Sequence, residues 1–233
     1  MKQYFDKVSV MKAEHYAISK FPEEACGFIT HDDFIPCENI ADDKVKNFKI
    51  DKYEYFKYHD QIQCIVHSHA NYPHLSAADM EGQIRSNLPW GLILLNNGKV
   101  QHTVFWGDML EPEELIGRPF IHGLFDCYGV VRDYWRAKGY WIKDFPRDNL
   151  WWETQPSMLE DNCRDAGFDF IDESEVKNGD VVFMKVVADV VNHSGIYLGD
   201  GLILHHLYNR LSRTEPLNRW RKFVTGYLRC KHA

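Results

Sequence analysis

No apolar run in the 233-residue chain approaches the roughly 18 residues that a membrane helix requires. The opening MKQYFDKVSVMKAEHY scatters charge where a secretory leader would be apolar, so neither a leader nor a membrane partner is expected. An excess of basic charge is also missing. Lys and Arg number 27 against 34 Asp and Glu, a formal charge of −7, which argues against a nucleic-acid partner. Basic residues gather only in NRLSRTEPLNRWRKF near the C-terminus, a stretch that reads as a solvated face. No C-x-x-C pair occurs among Cys26, Cys37, Cys64, Cys127, Cys163 and Cys230. A disulfide framework is therefore not expected, and most of these thiols read as small buried hydrophobes. Internal repeats and low-complexity segments are absent as well.

What is present suits a folded protein: 45% apolar and 26% charged residues, in a length that fits one large domain or two small ones. The first half reads as α/β. Met11, His15 and Ile18 have helical spacing, and that helix stops before Pro22. ACGFIT reads as a strand, YEYFKYH as a helix, QCIVHSH as a strand and SAADMEGQIRSNL as a helix. GLILLNNGKVQHTVF reads as a hairpin turning at Asn96-Asn97-Gly98. Acidic GDMLEPEELIGR has no strong period and reads as a linker. Beyond Pro119 the pattern predicts helices at about 127–138 and 157–166 around an aromatic loop region. The strands GDVVFMKVVADVV, HSGIYLG and LILHHLY follow. The expectation is an α/β (α+β) two-domain protein: residues 1–107, a linker over 108–118, and an α+β domain with an antiparallel sheet over 119–233.

In FDCYGVVRDYW, Asp126 suits a helix N-cap, which puts Cys127 in the first turn. There the helix dipole and unpaired N–H groups favour a thiolate. A nucleophilic thiol also needs a base, usually histidine, oriented by a third polar group. His193, His205 and His206 are available. If the hairpin loop is Asp200-Gly201, His206 shares the face of His193; if it is Gly199-Asp200-Gly201, His205 lies opposite Gly195, diagonal to His193. Periodicity leaves both open. FDCYGVV, NGDVVFM and NHSGIYLGDGLILHH, in that order, resemble the NlpC-type papain-like peptidases, which cleave peptide stems of bacterial cell walls. The resemblance covers about residues 119–233. It implies Cys127 as nucleophile, His193 as general base and acid, and His205 as the residue that orients His193, and it favours the three-residue loop. Tyr128 stands where many members carry serine.

HSHANYPHLSAAD offers a second constellation. His67 and His69, two apart at a strand end, point to one face. Two imidazoles and a carboxylate, Asp79, suit a zinc ion with an open position. SAAD reads equally well as a capping box, with Ser76 as N-cap. FPEEACGFI followed by a strand ending in H-S-H and then S-x-x-D resembles the JAB/MPN metallopeptidases with their JAMM motif. That resemblance covers about residues 1–105 and implies a mixed sheet flanked by helices. It also implies Glu24 as general base, His67, His69 and Asp79 as Zn2+ ligands, and Ser76 as oxyanion stabiliser. Ala70 replaces the usual proline, and the His69–Asp79 interval is one residue shorter than usual.

The two domains in this order resemble the tail tip assembly proteins of lambda-like siphophages. That implies assembly with other tail tip proteins in the host cytoplasm, followed by action of the virion tail tip on the peptidoglycan stem at the cell wall. The γ-D-glutamyl–diaminopimelate bond is then the expected target. Two rivals are a structural tail assembly factor with one or both sites inactive, and a bacterial cell-wall remodelling hydrolase.

Overall fold

The computed structural model describes residues 2–231. They form two compact units: the residues up to Pro73 with Gly82–Leu110, and His74–Glu81 with the residues from Glu111 on. No helix among the described residues is long and apolar enough to cross a membrane.

In chain order the first elements are α1 (Lys7–Lys20), β1 (Cys26–Thr30), β2 (Phe34–Cys37), α2 (Lys52–Tyr58), β3 (Ile62–Ala70), α3 (Ala77–Ser86), β4 (Trp90–Asn96) and β5 (Lys99–Trp106). Asp6 caps α1 by accepting the Ser9 N–H at 2.9 Å. The helix is where its periodicity puts it, but the buried face differs from the one the larger apolar residues suggest. Ser9, Ala13 and Ala17 are buried, whereas Met11 and Ile18 are 45% and 42% exposed. Small side chains four apart let the helix axis approach the sheet, which the longer ones would prevent.

The sheet order is β2-β1-β3-β4-β5, with β3–β4 parallel and the other pairs antiparallel. β3 therefore lies at the centre, and seven of its nine residues are buried. β4 and β5 turn through Asn97 and Gly98, both at positive φ (49° and 72°), the conformation such a two-residue turn demands.

The later elements are α4 (Cys127–Arg136), α5 (Met158–Cys163), β6 (Phe168–Ile171), β7 (Val181–Met184), β8 (His193–Gly199), β9 (Leu202–His205), β10 (Arg213–Pro216) and β11 (Val224–Cys230). The strands form one antiparallel sheet in the order β10-β9-β8-β7-β11-β6. α4 packs on β8 through a core containing Val130, Val131, Phe183, Ile196 and Leu204. The other face buries Val182, Met184, Ile203 and Tyr227, with Trp220 packed against them. β10 lies inside the basic stretch that reads as a solvated face, and both Ser212 and Leu217 there are buried. Arg210, Arg219, Arg221 and Lys222 are exposed, as a solvated face requires, but the reading misses the strand because a four-residue edge strand with one side covered leaves no apolar period to detect.

The β8–β9 hairpin combines both possible loops. Its tight turn is Asp200-Gly201, with Gly199 opposite Leu202, and a bulge at Leu198 then shifts the register so that Gly195 faces His205. A Cβ on Gly195 would stand 2.9 Å from that of His205, so glycine is what admits the imidazole there. Gly129 is tighter still. In the first turn of α4, its missing Cβ would stand 2.1 Å from the Leu124 carbonyl oxygen, a backbone atom that cannot step aside. Gly129→Ala is expected to destabilise the fold by about 1–3 kcal/mol, read as a lower urea midpoint; an unchanged midpoint would refute this packing.

Candidate functional site

The second unit holds a cleft of about 300 Å³ whose lining includes Cys127, Tyr128, Trp151, Trp152, His193 and Tyr208. Five of the six cysteines are buried; Cys127 is the one partly exposed. It opens α4, and its position is set by the residue before it. Asp126 accepts the Gly129 N–H at 2.8 Å through Oδ1 and the Gly123 N–H at 2.9 Å through Oδ2. One carboxylate thus ties the helix start to the preceding turn.

Asp126 is itself gripped by the buried Arg147, which donates from Nε to Oδ2 at 2.9 Å and from Nη2 to Oδ1 at 3.1 Å. Arg147 also donates to Asp144 at 2.9 Å, and Asp144 accepts from Arg132. Arg132 donates to Asp133 at 2.8 Å, and Asp133 accepts from Arg118 at 2.6 Å. Six side chains of alternating sign, five buried and Asp144 partly so, therefore run beside α4 and end at the cap of Cys127. Burial works to raise the Asp126 and Asp144 carboxyls, but the arginines beside them prevail and hold both well below the usual carboxylate range. Asp126 and Asp144 therefore remain ionised throughout the neutral range.

His193 opens β8 and shares a sheet face with His205. Its Nε2 lies 3.0 Å from His205 Nδ1, and His205 Nε2 lies 3.1 Å from Glu215 Oε2. Trp220 donates to the same Glu215 oxygen at 3.0 Å, while Arg213 pairs with the other at 3.0 Å. His206 points elsewhere, with Nε2 2.9 Å from the Arg210 carbonyl oxygen, and lines the cleft. Burial, then the charges of His205 and His206, push His193 down to about 3. Burial first, and Asp126 second, push the Cys127 thiol up to about 11, against hydrogen bonds from Ser194. The resting pair is accordingly a neutral thiol and a neutral imidazole, an arrangement that can deprotonate sulfur only as it attacks. Glu215, Arg213 and Trp220 escape sequence reasoning because they lie in that basic stretch. The ladder did leave a signal, since Arg132-Asp133 interrupts an otherwise apolar helix in VVRDYW.

In the first unit, Ser68 positions the other constellation. Its Oγ accepts the Ala25 N–H at 2.9 Å and its N–H donates to the Ala25 carbonyl at 3.0 Å, which fixes Glu24 beside the end of β3. Glu24 Oε1 lies 3.5 Å from His69 Nε2. His67 Nε2 and His69 Nε2 face each other at 3.2 Å. Two nitrogens bound to one tetrahedral zinc at about 2.0–2.1 Å would stand about 3.3–3.4 Å apart, so the pair fits a shared ion. Asp79, the third ligand that the JAMM-type resemblance implies, lies in the first turn of α3. Ser76 and Asp79 also form the capping box: the Ser76 N–H donates to Asp79 Oδ2 at 2.8 Å and the Asp79 N–H to Ser76 Oγ at 3.1 Å.

Two predictions follow from this geometry. Arg147→Met leaves Asp126 buried without its cation and is expected to cost about 3–5 kcal/mol; a urea midpoint within error of wild type would contradict it. Because burial disfavours the imidazolium, His193 should stay neutral as pH falls well below 6.5. A 15N NMR titration should find its midpoint below pH 5, and a midpoint near 6.5 would contradict the buried neutral base.

With the geometry in hand, relatives are informative. Residues 117–229 match the NlpC/P60 family. The tail tip assembly protein K of Escherichia phage N15 is 31% identical over 86% of this chain and 85% of its own. Its counterpart in Escherichia phage lambda is 34% identical over 70% of this chain and 78% of its own. Among solved structures, an NlpC/P60 family protein from Bacillus cereus is 15% identical, with a TM-score of 0.36 over 93% of this chain and 66% of that one. That structural likeness is too loose to carry an argument, but the two phage sequences carry one: the chain belongs to the family of phage tail tip assembly protein K and includes an NlpC/P60 domain.

Proposed function

We propose that the second unit is a cysteine peptidase that hydrolyses an amide in the peptide stem of peptidoglycan, and that it acts at the tip of a phage tail. The observation that carries this reading is the cleft that holds Cys127, at a capped helix start, together with His193, whose Nε2 is engaged by His205. Nδ1 is then the ring nitrogen left to take a proton. In the proposed reaction Cys127 Sγ attacks the scissile carbonyl carbon as its proton passes to His193. The Cys127 backbone N–H donates to the developing oxyanion, and His193 returns the proton to the departing amine. Water, deprotonated by His193, then cleaves the thioester and restores the thiol. Within the NlpC-type resemblance the target is the γ-D-glutamyl–diaminopimelate bond. Aromatic walls from Tyr128, Trp151, Trp152 and Tyr208 suit a peptide more than a polyanion. Other tail tip proteins are the proposed assembly partners, in keeping with the names of the two phage relatives.

For the N-terminal half of the sequence, the proposed role is a JAB/MPN-type zinc site that cleaves a peptide or isopeptide bond, as its resemblance to that family implies. His67, His69 and Asp79 would hold the ion, which supplies a bound water of lowered pKa and Lewis-acid polarisation. Glu24 would accept the proton of the attacking water, and the Ser76 hydroxyl would donate to the oxyanion.

Purified protein is expected to release new stem-peptide amines from isolated peptidoglycan, and Cys127→Ala to reduce release to background. Equal release from both would reject the peptidase. Metal analysis should find about one zinc per chain, lost in the His67→Ala/His69→Ala double variant. Wild type prepared without chelator and found metal-free would reject the zinc site.

A further inference from the structure

Glu215 ends a line of side chains that begins at the cleft. It lies on β10, two residues from Arg213, which pairs with His205 across the sheet, so all three share one face. The residue is only 13% exposed and receives three groups, His205, Trp220 and Arg213. An ionised carboxylate has no hydrogen to donate, and neither the Trp220 indole N–H nor the Arg213 guanidinium can accept one. The direction of every bond at this end of the line is therefore fixed.

From that we infer that Glu215 is a positioning residue that sets the tautomers of both histidines and thereby aims the basic nitrogen of His193 at Cys127. The inference rests on the peptidase reading given above. Because Glu215 can only accept, His205 must carry its hydrogen on Nε2. Its Nδ1 is then a lone pair, and His193, 3.0 Å away through Nε2, must donate from that nitrogen. His193 Nδ1 is left with a lone pair, the group a general base needs. Each step follows from which atoms of these side chains can donate and which can accept, and the opposite tautomer at either ring would set two lone pairs or two hydrogens face to face.

Trp220 holds this arrangement from the side. Its ring packs edge-on against His205 with centroids 4.8 Å apart, and its N–H keeps the Glu215 oxygen in place. Glutamine in place of Glu215 has nearly the same shape but can turn its NH2 toward His205 Nε2. The carboxylate's negative charge also works to raise the His205 pKa, although burial is the larger influence and lowers it. When the departing amine has taken the proton from His193, the same line returns to its starting tautomers without any group leaving its place.

The test reads the tautomers directly, by long-range 1H–15N correlation on histidine-labelled full-length protein at pH 7. Wild type is expected to show His205 and His193 both protonated on Nε2. Glu215→Gln should convert His205 wholly or partly to the Nδ1–H form, Glu215→Asp should recover the wild-type pattern in part, and Trp220→Phe should leave it in place. On stem peptides, Glu215→Gln should lower kcat roughly tenfold or more with KM changed less than twofold. Wild-type His205 protonated on Nδ1 would overturn the inference without any variant, and so would a Glu215→Gln pattern identical to wild type. A wild type with the expected tautomers that releases no amine from peptidoglycan would instead reject the peptidase reading and leave the positioning role of Glu215 standing.

Discussion

The fork between Arg147 and Asp126 is the constraint on which the second unit's site depends. A buried carboxylate is costly unless its lone pairs are filled. Asp126 fills them with two backbone N–H groups and two guanidinium N–H groups. Those partners belong to three separate pieces of chain: the turn at Gly123, the first turn of α4, and the loop at Arg147. None of them can shift without uncovering a charge. Such a network is a poor source of net stability, because desolvation offsets most of the attraction. Its value is geometric, since it admits one arrangement of the helix start and therefore one position for Cys127.

The alternating ladder extends that constraint. Asp144, Arg132, Asp133 and Arg118 each neutralise a neighbour, so no member faces a like charge without an opposite one between. Arg118 also donates to the carbonyls of Glu113 and Glu114, so the chain entering the unit is tied into the same network. The histidine side of the site has an independent support in the β8–β9–β10 register, where the Gly195 gap and the Leu198 bulge bring His205 beside His193. Cysteine and histidine are thus held by different physics: buried charge for one, strand pairing for the other. Ser68 serves a comparable role beside the first unit's histidines, with neutral hydrogen bonds to the Ala25 backbone in place of an ion-pair ladder.

Much of this was legible in the sequence, for identifiable reasons. The Asp126 cap and the Ser76–Asp79 box are local patterns whose partners lie three residues away, so spacing alone exposes them. Most helices and the β4–β5 turn were readable likewise, because period and turn chemistry act over short distances. Where the pattern depended on what packs on what, it misled. α1 buries Ser9, Ala13 and Ala17 in place of its larger residues, since approach to the sheet outweighs side-chain size. The hairpin could not be chosen from periodicity, because a bulge satisfies one alternative at the turn and the other at the histidines. Glu215 and Trp220 were illegible: their partner His205 lies ten and fifteen residues away, and only a folded edge strand reveals why a charge there is covered.

The account stands or falls on Cys127 being the thiol that a stem peptide reaches. Its most direct test is an affinity probe, a γ-glutamyl stem peptide ending in an acyloxymethyl ketone, incubated with the full chain and mapped by peptide mass spectrometry. The account predicts one label per chain, on Cys127, competed by excess stem peptide and lost in His193→Ala. Labelling spread over the other cysteines, or none at Cys127 when the chain is folded, would contradict it.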